Sequence, residues 1–205
     1  MTPPDHYYIE PVQPVLRRFV EDVRTVVAHG RGSPGLLDAL RKPTEQLLYD
    51  PSWIGEESRR VLDDVASWAV YRSQDPDLCI FTMVVPPGAA TRVHNHLTDG
   101  WVGLVQGGQI ERQFRRVDDR SQPGVARLEL TAEASIGLGE LTPLAYPDHD
   151  IHQILTTSSE ASVSLHVLCN DLGVVERQSF DPEAGTVRDF ISGYSNIDPG
   201  MGIGG

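Results

Sequence analysis

Residues 90–108 read ATRVHNHLTDGWVGLVQGG, and the fold turns on how Arg92-Val93-His94-Asn95-His96 is taken. The segment is rich in apolar and β-branched residues, the composition of a strand, and side chains along a strand repeat every two residues. His94 and His96 would therefore leave the same face with their rings side by side. In a chain with seven histidines, such a pair is either part of a metal site or two hydrogen-bonded rings on a sheet face.

The sequence around this pair has the rhythm of a β protein. From Ala66 onward, nine short runs rich in Val, Ile, Thr, Phe and Trp alternate with Gly, Pro and Asp: ASWAVYRS, CIFTMVV, TRVHNH, WVGLVQG, QIERQFRRV, ARLEL, IHQILTT, SVSLHVLC and VVERQSF. This spacing predicts an antiparallel sandwich or barrel rather than βα units. The first sixty residues read as helical. Leu16, Phe19, Val20, Val23 and Val27 recur at three-and-four spacing up to Gly30, and a second helix is expected to start with Ser33 as cap and Pro34 in the first turn. Leu36, Leu37 and Leu40 would point inward, with Pro43 and Pro51 breaking the pattern. The expected organisation is a helical segment over 1–60 packed on a β domain over 61–192, followed by a flexible, glycine-rich tail over 193–205.

Composition narrows the function classes. At 205 residues the chain suits one domain with a sizeable core. A net charge of -12 and a pI near 4.9 argue against a nucleic-acid partner. No apolar run approaches a membrane span, and the opening MTPPDHYYIEPVQP lacks the parts of a signal peptide, so a cytoplasmic protein without a membrane partner is expected. Cys79 and Cys169, both in apolar runs, are expected as buried thiols rather than a disulfide framework.

A metal held by His94 and His96 needs a third ligand from elsewhere. YPDHDIHQI offers His149 and His152; His152 falls in the strand-like part, while His149 sits beside the Pro147-Asp148 turn. Gly88 and Gly107 frame the first pair where the chain must turn into and out of a strand pair. This framing resembles the first motif of the cupins, and Pro147-x-His149-x-x-His152 resembles the core of their second, over about residues 66–190. The resemblance implies a mainly β fold, a double-stranded β-helix or jelly-roll barrel with the helices N-terminal to it. The cupin pattern has a glutamate ligand four residues after the second histidine; here that position is Gly100. A site of His94, His96 and His152 would leave about three positions of an octahedral metal open.

Among cupins this arrangement resembles the thiol dioxygenases, the cysteine dioxygenase and 3-mercaptopropionate dioxygenase group. The likeness extends through DPDLCIFTMVVPPGAATRVHNH into GWVGLVQGG, through DIHQI, through SVSLHVLCNDLG and through FDPEAGTVRDFISGYSN. It implies mononuclear Fe(II), a small-molecule thiol and O2 as partners, and transfer of both oxygen atoms to sulfur to give a sulfinate. Ser164 and His166, alternating on one strand, match the family's Ser-x-His pair, whose histidine could bond the bound oxygen species or the substrate. A satisfied core histidine is the alternative for His166. The tyrosine of the family's Ser-His-Tyr triad is replaced by Leu168, so its phenol is missing or comes from Tyr71, Tyr146 or Tyr194. No cysteine near Gly100 and Trp101 can form the cross-link some members carry.

Substrate choice rests on fewer signals. Cysteine dioxygenases hold the substrate carboxylate with an arginine on the strand read here as ASWAVYRS; Arg72 could take that role, sharing by alternation the face of Trp68 and Val70. Arg92, two residues before His94, is the other candidate unless it reaches to solvent, and Arg177 is a weaker third. If none enters the pocket, Trp68 and Trp101 with Asp99 and Asp148 could favour a bulkier, aromatic or cationic thiol such as ergothioneine. The rival readings are another metal-binding cupin activity, such as an isomerase, and a sensor. A monomer or small homo-oligomer is expected.

Overall fold

The computed structural model describes residues 6–8, 13–29 and 33–197, the first three as backbone only. Cys79–Val85 is apolar at nearly every position, the composition of a strand buried on both faces, and every one of these residues is buried. One face belongs to a barrel interior and the other to a layer of helices. The strands are β1 (His6–Tyr8), β2 (Ala66–Gln74), β3 (Asp77–Val85), β4 (Val93–Asn95), β5 (Gly100–Gln106), β6 (Gln109–Arg116), β7 (Leu128–Ile136), β8 (Leu141–Leu144), β9 (Ile151–Thr156), β10 (Ser162–Leu168), β11 (Arg177–Asp181) and β12 (Thr186–Phe190).

They form two antiparallel sheets, ordered β1-β2-β3-β10-β5-β8 and β12-β11-β4-β9-β6-β7. Within these, β3 pairs with β10, β4 with β9, β5 with β8 and β6 with β7. The chain from β3 to β10 is thus one long hairpin wound so that its successive strand pairs alternate between sheets, which is the jelly-roll barrel expected from the sequence. Gly107 turns β5 into β6 at φ 75°, a conformation that favours glycine.

Helices α1 (Pro14–Val27) and α2 (Leu36–Tyr49) cover the outer face of the first sheet. Leu16, Phe19, Val20, Val23 and Val27 of α1 and Leu36, Leu40, Leu47 and Leu48 of α2 join Tyr71, Leu78, Ile80, Trp101, Leu165 and Val167 in one buried cluster. The expected end of α1 at Gly30 lies outside the described residues. The second helix differs from its expected form. Its cap is Gly35, and it continues through Pro43 to Tyr49. Burial of Leu47 and Leu48 beyond the proline outweighs the hydrogen bond that Pro43 cannot make, while the hydroxyl of Thr44 donates to Leu40 O at 2.8 Å. A 3-10 turn over Pro51–Trp53 follows.

Two strands escape the sequence reading, β1 and β8, while β12 falls within FDPEAGTVRDFISGYSN. β8 carries Pro143, tolerable because the strand lies at a sheet edge. Of the expected tail, Ser195 and Asn196 are fastened to β2: Ser195 N–H donates to Ser67 O at 2.7 Å, and the Asn196 amide bonds both backbone groups of Ala69 at 2.9 and 3.0 Å. Residues 198–205 lie outside the described residues. No helix among the described residues is long and apolar enough to cross a membrane.

Gly100 starts β5 where the backbone of β10 passes closest. A Cβ there would run into Val167 O and the Leu168 side chain. Gly100→Ala is expected to destabilise the metal-free protein by about 1–3 kcal/mol through overpacking, read as a lower urea midpoint with an unchanged slope.

Candidate metal centre

The register of β4 on β9 builds the site. His94 lies directly opposite His152, and His96 follows one residue beyond the end of β4. There the chain reverses through Leu97, whose φ of 54° is unusual for a residue with a side chain. Asp150 holds that turn: its carboxylate accepts the Leu97 N–H at 2.8 Å and the His96 N–H at 3.3 Å. Asn95, pointing away from its two neighbours, extends the ladder towards β11 by accepting the Gln178 N–H at 2.7 Å. The three histidine rings pack with centroids 4.8–5.0 Å apart, all buried.

The nitrogens are not equivalent. His94 Nδ1 donates to Arg92 O at 2.8 Å and His152 Nδ1 to the Glu111 carboxylate at 2.7 Å, which leaves the Nε2 lone pair of each ring available. His96 Nδ1 has no partner among the described residues, and its Nε2 lies 2.9 Å from His152 Nε2. Two ligands at right angles on one ion, with bonds of about 2.0–2.1 Å, would be separated by about this distance. The three candidate ligand atoms lie within 4.8 Å of one another. Burial holds His94 and His96 well below the usual imidazole range, helped by the Arg177 charge for His94 and by His152 for His96, so the rings are in the neutral form that binds metals. The residues present therefore fit a metal ion.

His149 stays out of this group. It is exposed and pairs through its backbone with Ala145 across the Pro147 turn. Ser164 and His166 do share the inner face, with Ser164 Oγ 3.1 Å from His166 Nε2. His166 stacks on Phe81 with centroids 4.5 Å apart, sits 6.3 Å from the His96 ring, and has an unpartnered Nδ1. Burial pushes its basicity well down too. His94 forms one wall of a cavity of about 420 Å3 lined also by Met83, Arg92, Arg177, Phe190 and Tyr194. Of the three tyrosines considered, only Tyr194 lines it; its hydroxyl donates to Asp171 at 3.0 Å. Tyr71 is buried beneath the helices and Tyr146 is exposed on its turn.

Several expected substrate residues are placed elsewhere. Arg72 does not share the face of Trp68, because a bulge at Val70 shifts the β2–β3 register: Trp68 lies opposite Thr82 on the outer face and Arg72 opposite Cys79 on the inner. There Arg72 is fully buried, and its Nε donates to Asp171 at 2.8 Å. The Trp68 indole N–H donates to Arg60 O at 3.1 Å and that of Trp101 to Leu37 O at 2.8 Å, both outside the barrel. Asp99 accepts the Tyr146 N–H, and Asp148 is exposed on its turn. Arg92 lines the cavity and is solvent-exposed. Arg177, the weakest candidate in the sequence, is 7% exposed, bonds Asn95 O at 3.0 Å, and has a buried Nε with no partner. Burial lowers its pKa to about 10. Cys79 and Cys169 are buried and in no disulfide, as expected, and burial pushes the Cys79 thiol up to about 12.

Glu111 and Asp150 were absent from the sequence expectations. Their only sequence signal is parity: Glu111 alternates with Gln109 on a strand where apolar-in reasoning would turn Ile110 inward.

No protein-family model matches the chain. Among solved structures it resembles a cupin-2 domain of Rhodospirillum rubrum, 15% identical over 60% of this chain and 68% of that one, TM-score 0.44. A Thermus thermophilus protein is 20% identical over 59% and 94%, TM-score 0.42. A cupin superfamily protein of Desulfitobacterium hafniense is 15% identical over 55% and 84%, TM-score 0.38. Likeness this distant speaks to neither activity nor ligand.

His152→Ala should abolish binding of a stoichiometric divalent metal, and His149→Ala should leave it within about twofold of wild type. Titration of chelator-treated protein with Co(II), followed by its visible absorption, checks both.

Proposed function

We propose that the protein is an Fe(II)-dependent thiol dioxygenase that converts a small thiol to its sulfinate. The observation that carries this reading is the convergence of His94, His96 and His152 with no carboxylate among the described residues joining the group, while a side chain at Gly100 would collide with β10. A ferrous ion held by these three rings would supply the place where thiolate and O2 meet and both oxygen atoms pass to sulfur.

The chain's own residues account for the rest. Arg177 replaces Arg72 as the proposed carboxylate anchor: it lines the cavity with His94, its Nε is unpartnered, and no carboxylate among the described residues neutralises it. Its bond to Asn95 O ties the anchor to the residue that separates His94 from His96. Ser164 and Phe81 hold the His166 ring beside His96, and its buried Nδ1, unpartnered among the described residues, would serve as a hydrogen-bonding group for ligands bound there. Met83, Phe190 and Tyr194 supply the cavity walls.

The cavity volume favours a second reading within the same chemistry. About 420 Å3 is more than cysteine requires and lies within the range of ordinary ligand pockets. Phe190, Tyr194 and Asp64 among its lining residues, rather than Trp68 and Trp101, would suit a bulkier or cationic thiol such as ergothioneine.

Protein purified without chelator is expected to contain iron and to consume O2 with at least one of cysteine, 3-mercaptopropionate, cysteamine, mercaptosuccinate or ergothioneine, yielding the sulfinate. Zinc or no metal, with no uptake after Fe(II) reconstitution, would sink the reading. Arg177→Gln should raise KM for a carboxylate-bearing thiol ten- to hundredfold with a smaller change in kcat, the loss of a charged hydrogen bond worth about 1.5–3 kcal/mol. The same substitution should leave cysteamine kinetics nearly unchanged.

A further inference from the structure

The three histidines are held from behind by different groups. His94 Nδ1 has a neutral carbonyl, Arg92 O; His96 Nδ1 has no partner among the described residues; His152 Nδ1 has the carboxylate of Glu111 at 2.7 Å. Glu111 stands on β6 opposite Ile154 of β9, so its side chain reaches diagonally across the ladder to His152. It is 3% exposed, and no lysine or arginine among the described residues lies within ion-pair distance of it. A carboxylate enclosed in this way is costly unless a positive charge compensates it. Among the described residues its ion-pair partner is the His152 ring, so compensation comes through that ring, as a cation held on Nε2 would supply it.

We propose that Glu111 is a positioning residue that supplies, through His152, the negative charge that Gly100 cannot place among the ligands themselves. The inference rests on the metal site of the proposed function and adds a gradation to it. His152, backed by a carboxylate, is the strongest donor; His94, backed by a carbonyl, is intermediate; His96, backed by no group among the described residues, is the weakest. A stronger donor on one side raises affinity for a divalent cation and favours the higher oxidation state of a redox-active one. It also fixes the His152 ring and tautomer, so that Nε2 faces His94 and His96.

The test uses metal alone, without thiol. Glu111→Gln keeps the shape and an acceptor for His152 Nδ1 but removes the charge; Glu111→Asp keeps the charge and withdraws it by one carbon. Full-length wild type and both variants are titrated with Co(II), and the midpoint potential is measured after Fe(II) loading. Circular dichroism of the metal-free forms confirms folding. Glu111→Gln is expected to weaken Co(II) binding at least tenfold and to move the iron midpoint to more positive values, with Glu111→Asp between it and wild type. Folded Glu111→Gln protein with wild-type affinity and midpoint overturns the role of Glu111 while leaving the three-histidine site standing. Wild-type protein that binds neither Co(II) nor Fe(II) overturns the site and the inference together.

Discussion

Antiparallel pairing of β4 with β9 in one register is the constraint on which the candidate site depends. With His94 opposite His152, the ring of a residue near one end of the sequence of barrel strands meets the ring of one near the other. A slip of one residue would turn His152 outward and bring Ile151 into the cluster. The register is held from both sides. Asp150 locks the turn after His96, and Asn95 continues the pairing towards β11. Asn95 thus explains why the two histidines are separated by a polar residue: its side chain joins one neighbouring strand while the rings on either side face the other way.

What the sequence made legible was local periodicity. Two-residue alternation placed His94 and His96 together, and the strand-like setting of His152 separated it from His149 on its proline turn. The helical spacing of Leu16, Phe19, Val20, Val23 and Val27 likewise marked a face that is buried. What stayed hidden required a partner strand to be known. The bulge at Val70 leaves no mark in ASWAVYRS, yet it carries Arg72 to the opposite face from Trp68 and into the hold of Asp171. Glu111 reads as a surface residue until β6 is paired with β9. Arg177 lay on an isolated late strand whose neighbour, β4, is some eighty residues earlier in the chain, and only that pairing brings its guanidinium to Asn95.

The barrel separates two kinds of buried arginine. Arg72 has its counter-ion built in and binds elements of the fold together: β2, the Asp171 loop and, through Asp171, Tyr194. Arg177 is nearly as enclosed but, among the described residues, it hydrogen-bonds a backbone carbonyl and stacks on Phe190 with no carboxylate in ion-pair range. A buried cation without a counter-ion is costly in the folded state, and an anionic ligand is the natural way to relieve that cost. The same logic applies in reverse to Glu111. Arg177 and Glu111 are thus a buried cation and a buried anion that the fold does not pair with each other, placed on different sides of the histidine cluster.

The helical layer has a consequence for how this protein can be observed. All three tryptophans belong to the outer side of the first sheet: Trp53 donates to Leu47 O, Trp68 to Arg60 O and Trp101 to Leu37 O. None lines the cavity beside His94. Indole emission is thus an optical gauge of whether the helices are seated on the barrel, and events at the histidines pass beneath it unlit.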